Sequence, residues 1–150
     1  MTDPDTVVFY RDRSAGCHAA RFTLDKLTEF PRVDVAYAYI GADSIAVDAL
    51  VSAGARGIVL AGVGRGGATP AMGRALRRAI DKGVYVAISN RTGSGRTGSG
   101  GPPDSLPASP SRGANVGAGT LNPQKARILL MLALAAGMDR RAITDLFGTY

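Results

Sequence analysis

Two short apolar runs, separated by one segment of helical pattern, constrain the fold of this chain more than any other feature. They occupy residues 57–61 and 84–88, and turn-forming residues flank both. Runs this short are typical of parallel strands that are buried on both faces. The segment between them has room for one helix. Strands that alternate with helices predict an α/β fold, in which helices cover both faces of a small parallel sheet.

The other predicted elements follow from apolar spacing and from capping residues. Asp43 or Ser44 can cap one helix, and Thr69, Asn122 and Asp139 can cap three more, because each side chain can accept an unpaired backbone N–H. The pattern predicts, in order, a β-type run at 7–10, a strand at 33–37, a helix from Ile45 that Gly54 ends, a strand at 57–61, a helix from Pro70 to about Lys82, a strand at 84–88, a brief segment at Val116, and helices at 123–136 and about 140–147.

Two segments differ from this regular alternation. From about residue 91 to 115, Gly, Ser, Pro and Arg dominate, and this composition predicts a flexible loop. The helix at 123–136 is apolar nearly all round and is therefore expected to be deeply buried. Its longest apolar run, nine residues at 128–136, is too short to cross a bilayer. The basic-poor N-terminus has no signal-peptide pattern, so a cytoplasmic location is the default expectation for the chain as given.

Composition argues against several classes of function. The net charge of +6 comes from fifteen arginines and three lysines that are scattered along the chain, without interleaved aromatic residues or a nucleic-acid motif. We therefore expect no nucleic-acid partner and no membrane partner. The single cysteine, Cys17, excludes an internal disulfide, and with His18 it offers too few ligands for a zinc site. No metal or other cofactor is expected.

A glycine pattern, Gly62-x-Gly64-x-x-Gly67, follows a predicted strand and precedes a helix. This is the local setting of a dinucleotide-binding loop, in which glycines let the backbone approach a pyrophosphate. The acid that would bind the ribose at the end of the next strand is missing, and Asn90 and Arg91 stand there. The alternative is that the glycines only permit tight packing between strand and helix.

Several strings in this chain resemble the C-terminal domain of bacterial L-asparaginases. The loop AGVGRG at 61–66 resembles the family's A-G-x-G-x-G loop, LTEFPRV at 27–33 resembles the entry to its first strand, and SNRTGSG at 89–95 is similar to its S-S-R segment. The string GTLNPQKARILL at 119–130 is the most specific match, and LFGTY at 146–150 resembles the family's C-terminus. The resemblance implies a flavodoxin-like α/β domain at 31–150, preceded by a linker remnant at 1–30.

The resemblance also implies an amidohydrolase activity, the conversion of asparagine to aspartate and ammonia. The family's threonine nucleophile lies in a T-G-G-T-I string, assisted by a T-D-T aspartate and a lysine, all in the N-terminal domain. Neither string occurs in this sequence. No catalytic residue is therefore assigned, and the chain is expected to be inactive alone, as a truncated or split form would be.

What the family's C-terminal domain supplies is the completion of a neighbouring subunit's site. The resemblance places Gly64, Arg65, Gly66 and Asp104 in that role. The family has an asparagine where Arg65 stands, and Asp104 is the only acid between residues 100 and 113. Substitution of an amide by a permanent cation changes both shape and donor set. A solvated loop charge is the alternative interpretation of Asp104.

The resemblance implies asparagine as substrate, and a homo-oligomer or a separate N-terminal asparaginase domain as partner. Full-length members of the family are cytoplasmic, periplasmic or secreted, which leaves localisation open. An alternative function remains. The loop at residues 62–67 could bind a small ligand or an anion without catalysis, through Arg65 and its glycines.

Overall fold

The computed structural model describes residues 2–3, 6–7, 22–23, 27, 29–93, 95–97 and 115–149 of the chain. Ten elements lie within them: β1 (Thr2–Asp3), β2 (Thr6–Val7), β3 (Val33–Tyr37), α1 (Ile45–Ser52), β4 (Gly57–Gly62), α2 (Pro70–Asp81), β5 (Tyr85–Asn90), β6 (Asn115–Gly117), α3 (Pro123–Ala135) and α4 (Arg140–Gly148).

The main sheet has four strands in the order β3-β4-β5-β6, and every neighbouring pair is parallel. Strand β4 lies near the centre, with Val35 and Ala87 on either side of Val59. Helices α1 and α2 connect the first three strands, as a parallel arrangement requires. The predicted α/β class and parallel sheet are confirmed. The short strands β1 and β2 form a separate antiparallel pair.

Side chains alternate between the two faces of the central strands, and each face has its own core. Ile58 and Leu60 of β4 pack with α1 and α2 on one face, whereas Val59 packs with α3 and α4 on the other. In β5, Ile88 joins the first core and Ala87 the second. This period-two alternation explains why 57–61 and 84–88 are apolar at every position.

Helix α3 differs from its prediction. Only one side of the helix is buried, and Ile128 is 45% exposed. The buried side consists of Pro123, Ala126, Leu129, Leu130 and Ala133. The prediction of a helix buried all round is therefore wrong for the part of the chain that the structure describes. A helix on the outer face of a sheet can bury only the side that faces the strands.

Strand β6 is not predicted by the sequence pattern, since three residues with one apolar side chain carry no alternation. It pairs with residues Val86–Ile88 of β5. Of the predicted run at 7–10, Val7 lies in β2, and the other three residues lie outside the described ones. The division of the chain at residue 30 and the flexibility of 91–115 stay predictions.

The predicted capping residues begin the helices. Thr69, Asn122 and Asp139 each accept a backbone N–H from the first turn of α2, α3 and α4. At α1, Ser44 occupies the cap position without a side-chain cap bond, whereas the Asp43 carboxylate accepts the N–H of Ile45 at 2.9 Å. Both residues considered for this cap thus lie at the helix start.

Replacing Asn122 with alanine should lower the free energy of unfolding by about 1 kcal/mol, the usual effect of removing an N-cap acceptor. Its Oδ1 accepts the N–H of Lys125 at 2.9 Å. Urea unfolding monitored by circular dichroism measures the change. The matched control is Asn122→Asp, which keeps the acceptor and should cost much less. Equal losses in the two variants would show that the cap bond is unimportant.

Membrane-spanning helices and metal sites were both sought among the described residues. There, no helix is long and apolar enough to cross a membrane. The same residues contain no group of three or more His, Cys, Asp or Glu side chains that could hold a metal ion. Cys17, His18 and Asp104 lie outside them.

Candidate functional site

The candidate site lies at the edge of the sheet where β3, β4 and β5 end, called here the carboxyl edge. Because these strands are parallel, the segments that follow them meet at this one edge. They are residues 38–44 after β3, residues 63–69 after β4, and, among the residues described after β5, 91–93 and 95–97. In open parallel sheets this edge is where ligand sites form.

The segment after β4 folds into a tight turn closed by its own backbone. Val63 and Gly67 exchange two hydrogen bonds, with N to O distances of 2.9 and 2.7 Å, and the N–H of Gly66 also donates to the Val63 carbonyl at 3.1 Å. Gly64 and Gly66 have φ angles of +57° and +99°. Left-handed backbone at these two positions explains why each of them is a glycine.

Packing imposes a second requirement on the glycines. A Cβ added at Gly66 would lie 2.2 Å from Cγ2 of buried Ile88, and one added at Gly62 would lie 2.5 Å from the backbone carbon of Gly66. At Gly64 an added Cβ would meet nothing within 4 Å. Contacts within the chain therefore account for Gly62 and Gly66, so these two glycines need no nucleotide to explain them.

The segment after β5 packs against this turn. The N–H of Arg91 donates to the Gly62 carbonyl at 2.9 Å. Asn90, 9% exposed, donates from Nδ2 to the Gly95 carbonyl at 2.9 Å, and its Oδ1 accepts the N–H of Thr92 at 3.1 Å. A Cβ on Gly95 would lie 3.8 Å from the Gly64 carbonyl oxygen. The two segments thus support each other.

Three hydroxyl groups near the carboxyl edge are fixed by backbone carbonyls. Thr97 is buried and donates to the Ile88 carbonyl at 2.7 Å, Ser89 donates to the Leu121 carbonyl at 2.7 Å, and Thr69 donates to the Ala42 carbonyl. Neither Asn90 nor Thr97 is predicted from the sequence to organise this edge. An Asn side chain often accepts the backbone N–H two residues further on, and the position of Asn90 directly after a predicted strand is a signal for such a turn.

The structure places three of the four predicted site residues. Gly64, Arg65 and Gly66 lie together in the turn, with Arg65 exposed and Gly66 buried. Asp104 lies outside the described residues, so its part in the site stays a prediction. Arg65 is in contact with other groups of the protein.

Exposed apolar side chains lie beside the turn. Tyr39 is 56% exposed, Ile40 fully exposed, Ile45 71% and Val63 47% exposed, and we call these four residues the carboxyl-edge patch. Tyr39 and Ile40 follow β3, Ile45 begins α1 and Val63 follows β4, so all four belong to segments at the carboxyl edge. Thr69, at the end of the segment after β4, donates to the Ala42 carbonyl and so joins it to the segment after β3. Exposed apolar groups gathered at one edge are typical of surfaces that other molecules cover.

Known proteins resemble this chain over most of its described residues. Residues 32–147 match the family model described as the glutaminase/asparaginase C-terminal domain. The chain is 40% identical over 129 residues to L-asparaginase 2 of Bacillus subtilis and 39% identical to L-asparaginase 2 of Escherichia coli, with 86% of this chain covered in each case. These matches span only 32% and 36% of the two relatives, about a third of their length.

A solved structure shows the same family similarity at the level of the fold. The crystal structure of a probable cytoplasmic L-asparaginase from Campylobacter jejuni superposes with a TM-score of 0.73 and 36% identity. The superposition covers 87% of this chain and 40% of that one. The similarity therefore concerns one part of a longer protein, and that part corresponds to the sheet and helices described above.

Proposed function

Because this chain belongs to the family of glutaminase/asparaginase C-terminal domains, we propose that it completes the active site of an asparaginase-type N-terminal domain and is inactive alone. In this proposal the turn with Gly64, Arg65 and Gly66 faces the substrate of the partner domain, and Asp104 contributes the acid. The substrate is a small amide such as asparagine, and the partner domain provides the nucleophile.

The hydrogen bonds of four hydroxyl groups support the proposal that the chain is inactive without a partner. A serine or threonine attacks an amide only if a base removes its proton. Thr69, Ser89 and Thr97 all donate that proton to backbone carbonyls, which are not bases at neutral pH. Thr92 donates to the amide oxygen of Asn90 at 3.3 Å. None of these four described hydroxyl groups is arranged as a nucleophile.

The carboxyl-edge patch supports the need for a partner. Fully exposed Ile40 and largely exposed Ile45 lie after β3 and at the start of α1, at the same edge of the sheet as the turn that the proposal assigns to the substrate. A partner that covers this patch would also enclose Arg65, because Val63 belongs to both the patch and the turn. Apolar cores with a polar rim are the usual anatomy of protein interfaces. One surface thus provides both binding to the partner and completion of its site.

Association with an N-terminal asparaginase domain should depend on the carboxyl-edge patch. We expect Ile40→Lys to weaken binding to the N-terminal domain of the Bacillus subtilis relative by at least about tenfold, since a charge would enter an apolar interface. Sedimentation velocity over a concentration series measures the dissociation constant. Because Ile40 is fully exposed, the substitution should leave the Tm unchanged.

The matched control is Ile128→Lys. Ile128 is another partly exposed isoleucine, 45% accessible, but it lies on α3 against the opposite face of the sheet. The Ile128→Lys variant should bind the N-terminal domain with the same dissociation constant as the unmodified chain. Equal binding of the Ile40 and Ile128 variants would contradict the assignment of the interface to the carboxyl edge. Association of the chain only with itself would favour a homo-oligomer.

A further inference from the structure

Thr97 is held at both its backbone and its side chain. It is 2% exposed, whereas its neighbour Arg96 is exposed. Its N–H donates to the Gly119 carbonyl at 3.1 Å, and its own carbonyl accepts the Gly119 N–H at 3.2 Å. Its hydroxyl donates to the Ile88 carbonyl at 2.7 Å. Thr97 is therefore fixed between strand β5 and the residues that follow β6.

The methyl group of Thr97 faces the turn at residues 62–67. A Cβ built on Gly66 would lie 3.4 Å from Cγ2 of Thr97 and 2.2 Å from Cγ2 of Ile88. Within this turn Gly66 is buried, whereas Arg65 is exposed. Two methyl groups, one from β5 and one from the segment after it, thus line the place where Gly66 packs onto the core. Any movement of Gly66 is passed to Arg65 through the peptide bond between them.

We propose that Thr97 is a positioning residue of the candidate site, whose methyl group sets the position of Gly66 and thereby of Arg65. Removal of a buried methyl group leaves a cavity, which closes only from a side that can move. Ile88 is 1% exposed within the core and has no space to move. The turn is bounded by solvent at Arg65, so Gly66 would shift inward and withdraw Arg65. The effect on the turn is independent of the proposed function, and only the effect on substrate rests on it.

Two substitutions separate the methyl group from the hydroxyl. Thr97→Ser keeps the hydroxyl and loses the methyl group, whereas Thr97→Val keeps the methyl group and loses the hydroxyl. The Ile88 carbonyl also accepts the Ala118 N–H at 2.8 Å. The Gly119 carbonyl accepts the backbone N–H of residue 97, so loss of the hydroxyl leaves neither carbonyl unpaired. Each variant should lower the Tm by about 3 °C, through a lost methyl contact or a lost hydrogen bond.

Amide hydrogen exchange on the whole chain measures the turn without a partner. The N–H groups of Gly66 and Gly67 donate to the Val63 carbonyl at 3.1 and 2.7 Å. A turn that has lost its support should open more often, so both amides should exchange about tenfold faster in Thr97→Ser than in Thr97→Val. The amides of β5 provide the reference, because they report opening of the whole fold. Equal exchange in the two variants, relative to β5, would overturn the role of the methyl group.

Kinetics of the mixture with the N-terminal domain of the Bacillus subtilis relative test the consequence for the site. Because a withdrawn Arg65 opposes the ammonium group of asparagine less, Thr97→Ser should lower KM about threefold, and Thr97→Val should change it less. In an Arg65→Asn background the effect of Thr97→Ser should vanish, since the cation that moves is absent. An unchanged KM, or an effect that persists in that background, would contradict positioning through Arg65. A mixture that releases no ammonia would contradict the proposed function, and hydrogen exchange would still decide the role of Thr97.

Discussion

Replacing Gly66 with alanine is expected to lower the Tm by about 10 °C or more, which corresponds to roughly 3 kcal/mol in a domain of this size. Two effects combine. The φ of +99° is unfavourable for any residue with a Cβ, and the added Cβ would lie 2.2 Å from Cγ2 of Ile88. Ile88 is 1% exposed within the core of α1 and α2, so it has no space into which to move.

The neighbouring Gly64 provides the control. Its φ is +57°, and an added Cβ would meet nothing within 4 Å. Gly64→Ala should therefore cost only the conformational strain, about 1 kcal/mol. Thermal unfolding of both variants by calorimetry compares the two costs directly. Equal losses at positions 64 and 66 would contradict the packing of the turn on Ile88.

A second substitution separates packing from backbone strain. Ile88→Ala removes the Cγ2 atom that the new methyl group would meet. In the Ile88→Ala background the further cost of Gly66→Ala should fall to about that of Gly64→Ala, since contacting residues show coupled effects. If Gly66→Ala costs as much free energy of unfolding in the Ile88→Ala background as in the unmodified chain, the whole effect comes from the φ angle of residue 66.

The sequence predicts well those strands and helix starts whose signals lie within a few neighbouring residues. Strands β4 and β5 are apolar at nearly every position, and the caps at Thr69 and Asn122 act within one helical turn. These signals need no knowledge of distant residues. The helix starts and the parallel class follow from them, and the structure confirms both.

The features that escape prediction depend on residues far apart in the chain. Strand β6 exists because Val116 pairs beside Ala87, and its own three residues carry no pattern. Thr97 becomes an organising residue only when the fold brings it to the Ile88 and Gly119 carbonyls. Likewise, the collision that requires Gly66 arises from a side chain 22 positions away, on the next strand.

The candidate site was predictable in part. Resemblance to a family indicates Gly64, Arg65 and Gly66, and the fold gathers them in one turn. It does not indicate that Asn90 organises the turn after β5, because its Nδ2 donates to the Gly95 carbonyl, five positions further on. The resemblance implies an asparagine at the position where Arg65 stands.

Ammonia release from asparagine should require both domains. The partner would provide an activated nucleophile, and this chain would provide the groups that position the substrate. Loss of a positioning or charge-stabilising group commonly costs about a hundredfold or more in rate. We therefore expect a mixture of the chain with the N-terminal domain of the Bacillus subtilis relative to release ammonia about a hundred times faster than that domain alone.

Arg65 should influence the binding of substrate in this mixture. A cation near the ammonium group of asparagine opposes binding, so Arg65→Asn should lower KM by about tenfold, equivalent to roughly 1.4 kcal/mol. Arg91→Asn is the matched control, since Arg91 is also exposed and follows the next strand. An unchanged KM in Arg65→Asn would place Arg65 away from the substrate.

The most direct measurement is the rate of ammonia release from asparagine by the chain alone, by the N-terminal domain alone, and by the two together. We predict release at background level by the chain alone and rapid release only by the mixture. Steady release by the chain alone would contradict inactivity without a partner. A mixture no faster than the sum of its parts would contradict completion of a neighbouring site, and would favour an independent ligand-binding role for the turn that holds Arg65.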